Sequence, residues 1–239
     1  MEMRGSLMSV TFGTPVVNDY VADGTATNTL VMSGVTSGQP IIIVWGTLNY
    51  NVDTVTITDT FSTPYTWTKL DGDTSTGGYG CETWIGTGGA STSGTITLTT
   101  GLSNDSPGSV AIPCIGASTA SGLAAIDAHG IQSNSASTTI PSVSLTPTVA
   151  SEGAFYVGGQ AAWGSPAISA SPTSPWTSTA VAYTGITFMS AATYPSPPSG
   201  SALTTSWTTS TSQPSFSAGV IVKATGSAAA NTGGFFAVL

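Results

Sequence analysis

Val52-Asp53-Thr54-Val55-Thr56-Ile57-Thr58 places Val55 and Ile57 on one parity and Thr54, Thr56 and Thr58 on the other. Successive side chains of a strand point to opposite faces, so this spacing turns an apolar row toward a core and a hydroxyl row away from it. Thr95-Ile96-Thr97-Leu98-Thr99 repeats the pattern. Pro40-Ile41-Ile42-Ile43-Val44-Trp45 is instead an unbroken, mostly β-branched run, as expected of a central strand covered on both faces. Further candidate strands are 7–12, 27–32, 81–85, 109–115, 123–127, 143–145, 153–157, 177–183, 203–207 and 218–223. Turn-forming clusters punctuate them: Asp71-Gly72-Asp73, Thr87-Gly88-Gly89, Asn104-Asp105-Ser106-Pro107-Gly108 and Ser196-Pro197-Pro198-Ser199-Gly200. No stretch carries a sustained helical stripe; Ala228-Ala229-Ala230 is too short and lies between Gly226 and Gly233. Many short strands without helices predict an all-β, antiparallel sandwich with Greek-key connections. At 239 residues one sandwich domain over 1–224 is expected, followed by a small-residue linker and apolar tail over 225–239.

Charge sets the next limits. Charged residues are 6% of the chain, against about 25% in an average soluble protein. Ser and Thr together supply 75 of 239 positions, so the solvent faces of the strands are hydroxyl surfaces, and covering a partnered hydroxyl costs far less than covering an ion. The net charge is −8 and the only cations besides His129 are Arg4, Lys69 and Lys223, which argues against direct nucleic-acid binding. No segment reaches the roughly 18 consecutive apolar residues of a membrane span. Met1-Glu2-Met3-Arg4-Gly5-Ser6-Leu7-Met8 lacks the apolar core of a signal peptide, so either processing or release by lysis, the exit route of virion proteins, is expected. Cys81 and Cys114 both fall in apolar strand-like segments; a disulfide, if those strands adjoin, and two buried thiols fit equally.

The residue types that perform chemistry are sparse. His129 is the single histidine, and Asp127-Ala128-His129 puts a carboxylate and an imidazole on one strand face. There is no Gly-x-Ser-x-Gly elbow behind them, so a solvent-facing histidine is expected rather than a triad. One His and two distant Cys lack zinc-ligand spacing. Glu82, in Cys81-Glu82-Thr83-Trp84, shares a face with Trp84, a constellation found in sugar clefts; Glu152, in Ala150-Ser151-Glu152-Gly153, reads as a solvated acid at a strand entrance, which leaves a glycosidase without its second carboxyl. Asp71-Gly72-Asp73 with Thr74 and Ser75 offers closely spaced oxygens for calcium, but reads first as a plain turn. No catalytic residue, metal ligand or cofactor is therefore expected.

Trp45, Trp84 and Trp207 alternate with strand residues and are expected in the core. Trp163 and Trp176 adjoin Gly164-Ser165-Pro166 and Ser174-Pro175. Each either closes the end of the sandwich or contacts a sugar ring or a neighbouring subunit. The terminal Phe235, Phe236, Val238 and Leu239 form an apolar assembly tail that either tucks onto its own sandwich or adds to a neighbour.

Val55-Thr56-Ile57-Thr58-Asp59 followed by Tyr65-Thr66-Trp67-Thr68-Lys69 resembles a family of jelly-roll-like β-proteins, found among phage and viral structural proteins and surface-exposed bacterial proteins. The likeness runs through Glu82-Thr83-Trp84-Ile85, Ala125-Ile126-Asp127, Phe155-Tyr156-Val157-Gly158 and Ala218-Gly219-Val220-Ile221-Val222-Lys223, about residues 27–224. The resemblance implies jelly-roll topology and carries no catalytic residues. The two cysteines and the apolar tail depart from it and leave the assembly mode open. With the scarce charge, it leads to the expectation of a non-enzymatic virion component (capsid, decoration or tail) that forms a homo-oligomer and meets other particle proteins. An extracellular filament or surface-layer subunit, or a carbohydrate-binding module meeting surface glycans, is the alternative.

Overall fold

A computed structural model describes residues 8–18, 27–48, 55–76, 79–100, 108–161, 168–169, 174–182 and 187–226. The strands run β1 Thr11–Phe12, β2 Val16–Asn18, β3 Thr27–Ser33, β4 Ile41–Leu48, β5 Thr56–Asp59, β6 Thr66–Thr76, β7 Tyr79–Thr87, β8 Ser93–Thr99 and β9 Gly108–Ile115. After one 3-10 turn, Gly122–Ala125, follow β10 Ile126–Thr139, β11 Gly153–Ala161, β12 Ile168–Ser169, β13 Thr177–Ala182, β14 Thr187–Pro195 and β15 Thr208–Val222. Every pairing between them is antiparallel, as the sequence predicts.

Three sheets stack. The central one has the order β1-β9-β4-β7-β6, with β2 also on β9. One of its faces packs on a small sheet, β3-β8-β5, and the other on an outer sheet, β10-β15-β11-β14-β13, with β12 on β15. The continuous apolar run of β4 explains this arrangement. Ile42 and Val44 enter a core shared with Phe155, Val157, Val220 and Val222 of the outer sheet. Ile41, Ile43 and Trp45 enter a second core shared with Leu30, Met32, Ile96 and Leu98 of the small sheet. Burying each such side chain is worth about 1.5–3 kcal/mol, so a strand apolar on both faces is stable only between two layers. The small sheet keeps the predicted alternation: Leu30 and Met32 are buried while Thr27, Thr29 and Val31 face outward.

The far face of the outer sheet is covered without a fourth sheet. Segments 143–145 and 203–207, expected as strands, instead cross this face as extended chain joined by the Leu145–Leu203 bridge. Pro141 and Pro147 bracket the first segment and keep it out of a ladder. Ile140, Val143, Leu145, Leu203 and Trp207 thereby close a third core over Ala154, Tyr156 and Ile221. Two glycines permit this thickness of packing on β11. The Trp207 ring lies so close over Gly158 that a Cβ there would sit 2.7 Å from it, and on the opposite face Phe216 would meet one on Gly159 at 2.2 Å.

Three further expectations change. Residues 123–125 form the 3-10 turn, and the strand expected to end at 127 continues to Thr139. The last strand begins at Thr208 rather than 218, because Pro214 is absorbed at an irregularity between the Asn134–Ser215 and Ser137–Gln213 pairs. Asp71-Gly72-Asp73 is no turn; it lies inside β6 between two register shifts.

Candidate functional site

Glu82 and Trp84 share one face of β7, as their spacing requires, and the pairing brings Trp45 of β4 and Gly72 of β6 opposite Glu82, and Lys69 opposite Trp84. Glu82 is 1% exposed. Its Oε2 accepts from Trp84 Nε1 at 2.8 Å and from Trp45 Nε1 at 3.3 Å, and Lys69 Nζ donates to Oε1. The lysine reaches it by folding its stem over Gly72, where a Cβ would stand 2.7 Å from the lysine Cε. A buried carboxylate is tolerable when an opposite charge and hydrogen bonds replace its water, and Glu82 has both. Trp45 is fully buried as expected, but Trp84 is only half-buried at the rim of this core, next to the half-buried Trp67. The Trp67 indole donates to Asp59 Oδ2 at 2.9 Å; Asp59 also accepts the backbone N–H groups of Phe61 and Tyr65.

A polar seam closes one side of the stack, where β6 of the central sheet meets β10 of the outer sheet. His129 Nδ1 lies 3.0 Å from Asp71 Oδ2, and Ser133 Oγ donates to Asp73 Oδ2 at 2.6 Å. The two acids expected in a turn, and open to a calcium reading, are thus consumed in fastening two sheets. Asp127 and His129 are not partners. A bulge between Ile126 and Ala128 turns Asp127 away to Thr148, whose Oγ1 donates to Asp127 Oδ1 at 2.8 Å.

Glu152 departs furthest from expectation. It is 1% exposed rather than solvated, and burial pushes its carboxyl up to about 7, with the neighbouring Asp127 also raising it and the backbone N–H groups of Val149 and Thr148 pulling it back. Glu82 faces the small sheet while Glu152 immediately precedes β11 of the outer sheet, so the central sheet and the core between the central and outer sheets stand between them. They cannot act as the paired acids of a glycosidase.

Cys81 and Cys114 are both free and both buried. Cys81 faces Gly46 near one end of β4, whereas Cys114 follows Pro113, which faces Ile41 at the other end. The separation along the sheet is roughly 15–20 Å, beyond the reach of a disulfide. Burial pushes the Cys114 thiol up to about 12 and holds Cys81 well above its usual value, with Asp73 and Glu82 adding to the effect, so neither is a nucleophile at neutral pH. Trp176 is half-buried and packs edge-on against Tyr156 and Tyr194, with ring centroids 4.9 and 5.5 Å away. Trp163 and the tail residues Phe235, Phe236, Val238 and Leu239 lie outside the described residues. No grouping of three or more metal-binding side chains occurs among the described residues, and no described helix is long and apolar enough to cross a membrane.

Comparison with protein-family models, with curated proteins and with solved structures gave no match.

The arrangement sequence reasoning missed is the pairing of acids with partners distant in the chain. Asp71 with His129 and Asp73 with Ser133 are separated by 58 and 60 positions, and no local pattern announces them.

Proposed function

We propose that this chain is a non-enzymatic structural protein of a virus particle, working by packing its sheets against further copies of itself and against other particle proteins. The observation that carries this reading is the outer face of the small sheet. Thr27, Thr99 and Thr56 stand in one cross-strand row, Thr29, Thr97 and Thr58 in the next, and Val31 and Thr95 in a third. Val31 is 69% exposed in this array, and none of these side chains is charged. A regular face of short neutral groups loses little on desolvation and regains hydrogen bonds across a contact, whereas a face of ions would not.

The acids support the same reading. All six carboxylates among the described residues, on Asp59, Asp71, Asp73, Glu82, Asp127 and Glu152, already accept hydrogen bonds or an ion pair from the chain itself. A general acid or base has to point at a substrate. The 6% charge and the resemblance to jelly-roll virion proteins favour a particle setting. Size-exclusion chromatography with light scattering tests the proposal on the full chain. A symmetric oligomer is expected, and Thr97→Lys, which puts a cation in the middle of the array, should weaken it by about tenfold or more while leaving the circular dichroism unchanged. A monomer at every concentration, or an oligomer indifferent to that substitution, overturns it.

One place favours a second reading as a carbohydrate-binding module. Trp84 and Trp67 are half-buried indoles whose N–H groups are fixed on carboxylates, and the Lys69 side chain beside them is 42% exposed. Rings held this way stack on the apolar face of a sugar, and the Lys69–Glu82 pair leaves little net charge for an acidic one. A broad glycan array with no signal for the full chain removes this reading.

A further inference from the structure

The turn that leads into β11 holds two carboxylates on one donor. The backbone N–H of Thr148 points at Asp127 Oδ2, 2.9 Å away, and also at Glu152 Oε2, 3.0 Å away. Glu152 Oε2 takes the N–H of Val149 as well, at 3.1 Å. A single N–H cannot neutralise two anions, and two carboxylates converging on one atom repel strongly unless a proton lies between them.

Among the described residues, no other charge relieves the pair. Between Met8 and Phe12 the β1 segment carries no ionisable side chain, and residues 147–151 of the turn carry none. On β10, His129 is turned to Asp71 of β6. On β14, the Tyr194 ring packs on Trp176. Past the end of β15, Lys223 directs its ammonium to the Ala124 carbonyl oxygen, 3.4 Å away. On β11, Tyr156 donates its hydroxyl to the Leu203 carbonyl oxygen.

The same turn is a tie point for two other stretches of chain. Val10 N donates to Ser151 O at 3.0 Å, Ser196 N to Glu152 O at 2.9 Å, and Gly200 N to Pro147 O at 2.8 Å. The β1 segment then lies tight over the start of β11: a Cβ on Gly153 would stand 2.6 Å from Val10 Cγ1 and 2.9 Å from Phe12 Cζ. Val10 is fully buried there, and both residues belong to the core between the central and outer sheets.

We propose that Glu152 holds a proton against the Asp127 carboxylate that converges with it on the Thr148 N–H, and that losing it unfastens the 147–152 turn together with the β1 segment it holds, making a proton-gated latch on the N-terminal edge of the central sheet. With the proton in place, the protonated acid donates to its neighbour and both still accept the turn's N–H groups. Without it, two adjacent anions push the turn outward, and the segment pairing Thr11 with Ile115 and Phe12 with Cys114 loses its outer anchor. Opening uncovers Val10 and Phe12, apolar surface that a second molecule can cover, so the latch couples pH to the edge on which a further strand would add. This goes beyond the assembly reading and does not depend on it, because the latch is tested within one molecule.

Hydrogen exchange on the full chain, read by NMR at about pH 5.5 and about pH 8.5 and corrected for the intrinsic rates, makes the test. Protection of the Val10 and Ser196 amides should fall at least about tenfold more across this range than that of the Ile43 amide in the centre of β4. Glu152→Gln is the deciding variant: its amide oxygen still accepts from Thr148 and Val149 and its NH2 donates to Asp127, the same bonds as the protonated acid but with no proton to lose. Its Val10 and Ser196 amides should stay protected at both pH values. The same fall in Glu152→Gln, or no differential fall in the parent protein, overturns the latch. If Glu152→Gln fails to fold, Asp127→Asn gives an equivalent reading, since removing either charge abolishes the repulsion.

Discussion

Glu82 and Glu152 are equally buried, yet they are kept in opposite ways. Glu82 lies between sheets, with an ammonium on one oxygen and two indole N–H groups on the other. Glu152 lies in the turn that enters the middle strand of the outer sheet, with two backbone N–H groups and a second carboxylate for company. The first is a compensated ion that glues three strands; the second holds a proton that the surroundings make hard to release. Burial alone does not decide what an acid does in a protein. The charge of the nearest partner decides it, and that partner comes from elsewhere in the chain.

The largest expected effect breaks the Glu82 side. Lys69→Met removes the cation and leaves a buried carboxylate without its ion-pair partner, which should cost about 2–4 kcal/mol in urea unfolding at neutral pH, a little below a fully enclosed pair because the lysine reaches water. Adding Glu82→Gln to Lys69→Met should restore part of that loss, and a double variant as unstable as the single one counts against a compensated ion. The next effect sharpens the Glu152 side. A free glutamate ionises near 4.5, whereas Glu152 ionises at about 7 in the folded chain, so between those values the unfolded state has released a proton the native state retains. That makes ν_U smaller than ν_N, and stability falls as pH rises through this window and levels off above it, by about 1–3 kcal/mol. Unfolding midpoints recorded across the window should show that fall in the parent protein and lose most of it in Glu152→Gln. The smallest effect concerns the polar seam. His129→Ala removes a partly exposed contact to Asp71 and should cost at most about 1 kcal/mol, a change in midpoint barely above error, with the sheets still docked.

The sheets themselves were largely legible in the sequence. Alternation of Val55 and Ile57 with threonines, and of Ile96 and Leu98 with threonines, marked the small sheet and which way it faces. The unbroken apolar run at Ile41–Trp45 marked the strand enclosed on both sides. What was not legible is whatever depends on distant partners. The second half of β10, Gln132 to Thr139, and the first half of β15, Thr208 to Gln213, carry no apolar rhythm and are strands because they pair with each other. β14 was missed for a related reason: between Met189 and Tyr194 its core-facing positions are the small residues Ala191 and Ala192, which face two different cores and give no apolar alternation to read. Of the candidate site residues, the Glu82 and Trp84 pairing could be read from period two alone, because both lie on one strand. The Lys69 partner, the Asp71–His129 contact and the burial of Glu152 could not, since each joins separate strands or depends on a turn.

The pairing of β1 and β2 with β9 carries a consequence for how the molecule is made. Thr11 meets Ile115 and Val16 meets Ala111, so β1 and β2 lack the strand they pair with until about a hundred more residues have been added. At about 5–20 residues per second, an unpaired stretch carrying Val10, Phe12, Val16 and Val17 waits on the order of 5–20 seconds before its docking site exists. During that interval this stretch is open to chaperones, and to capture by another nascent copy of itself.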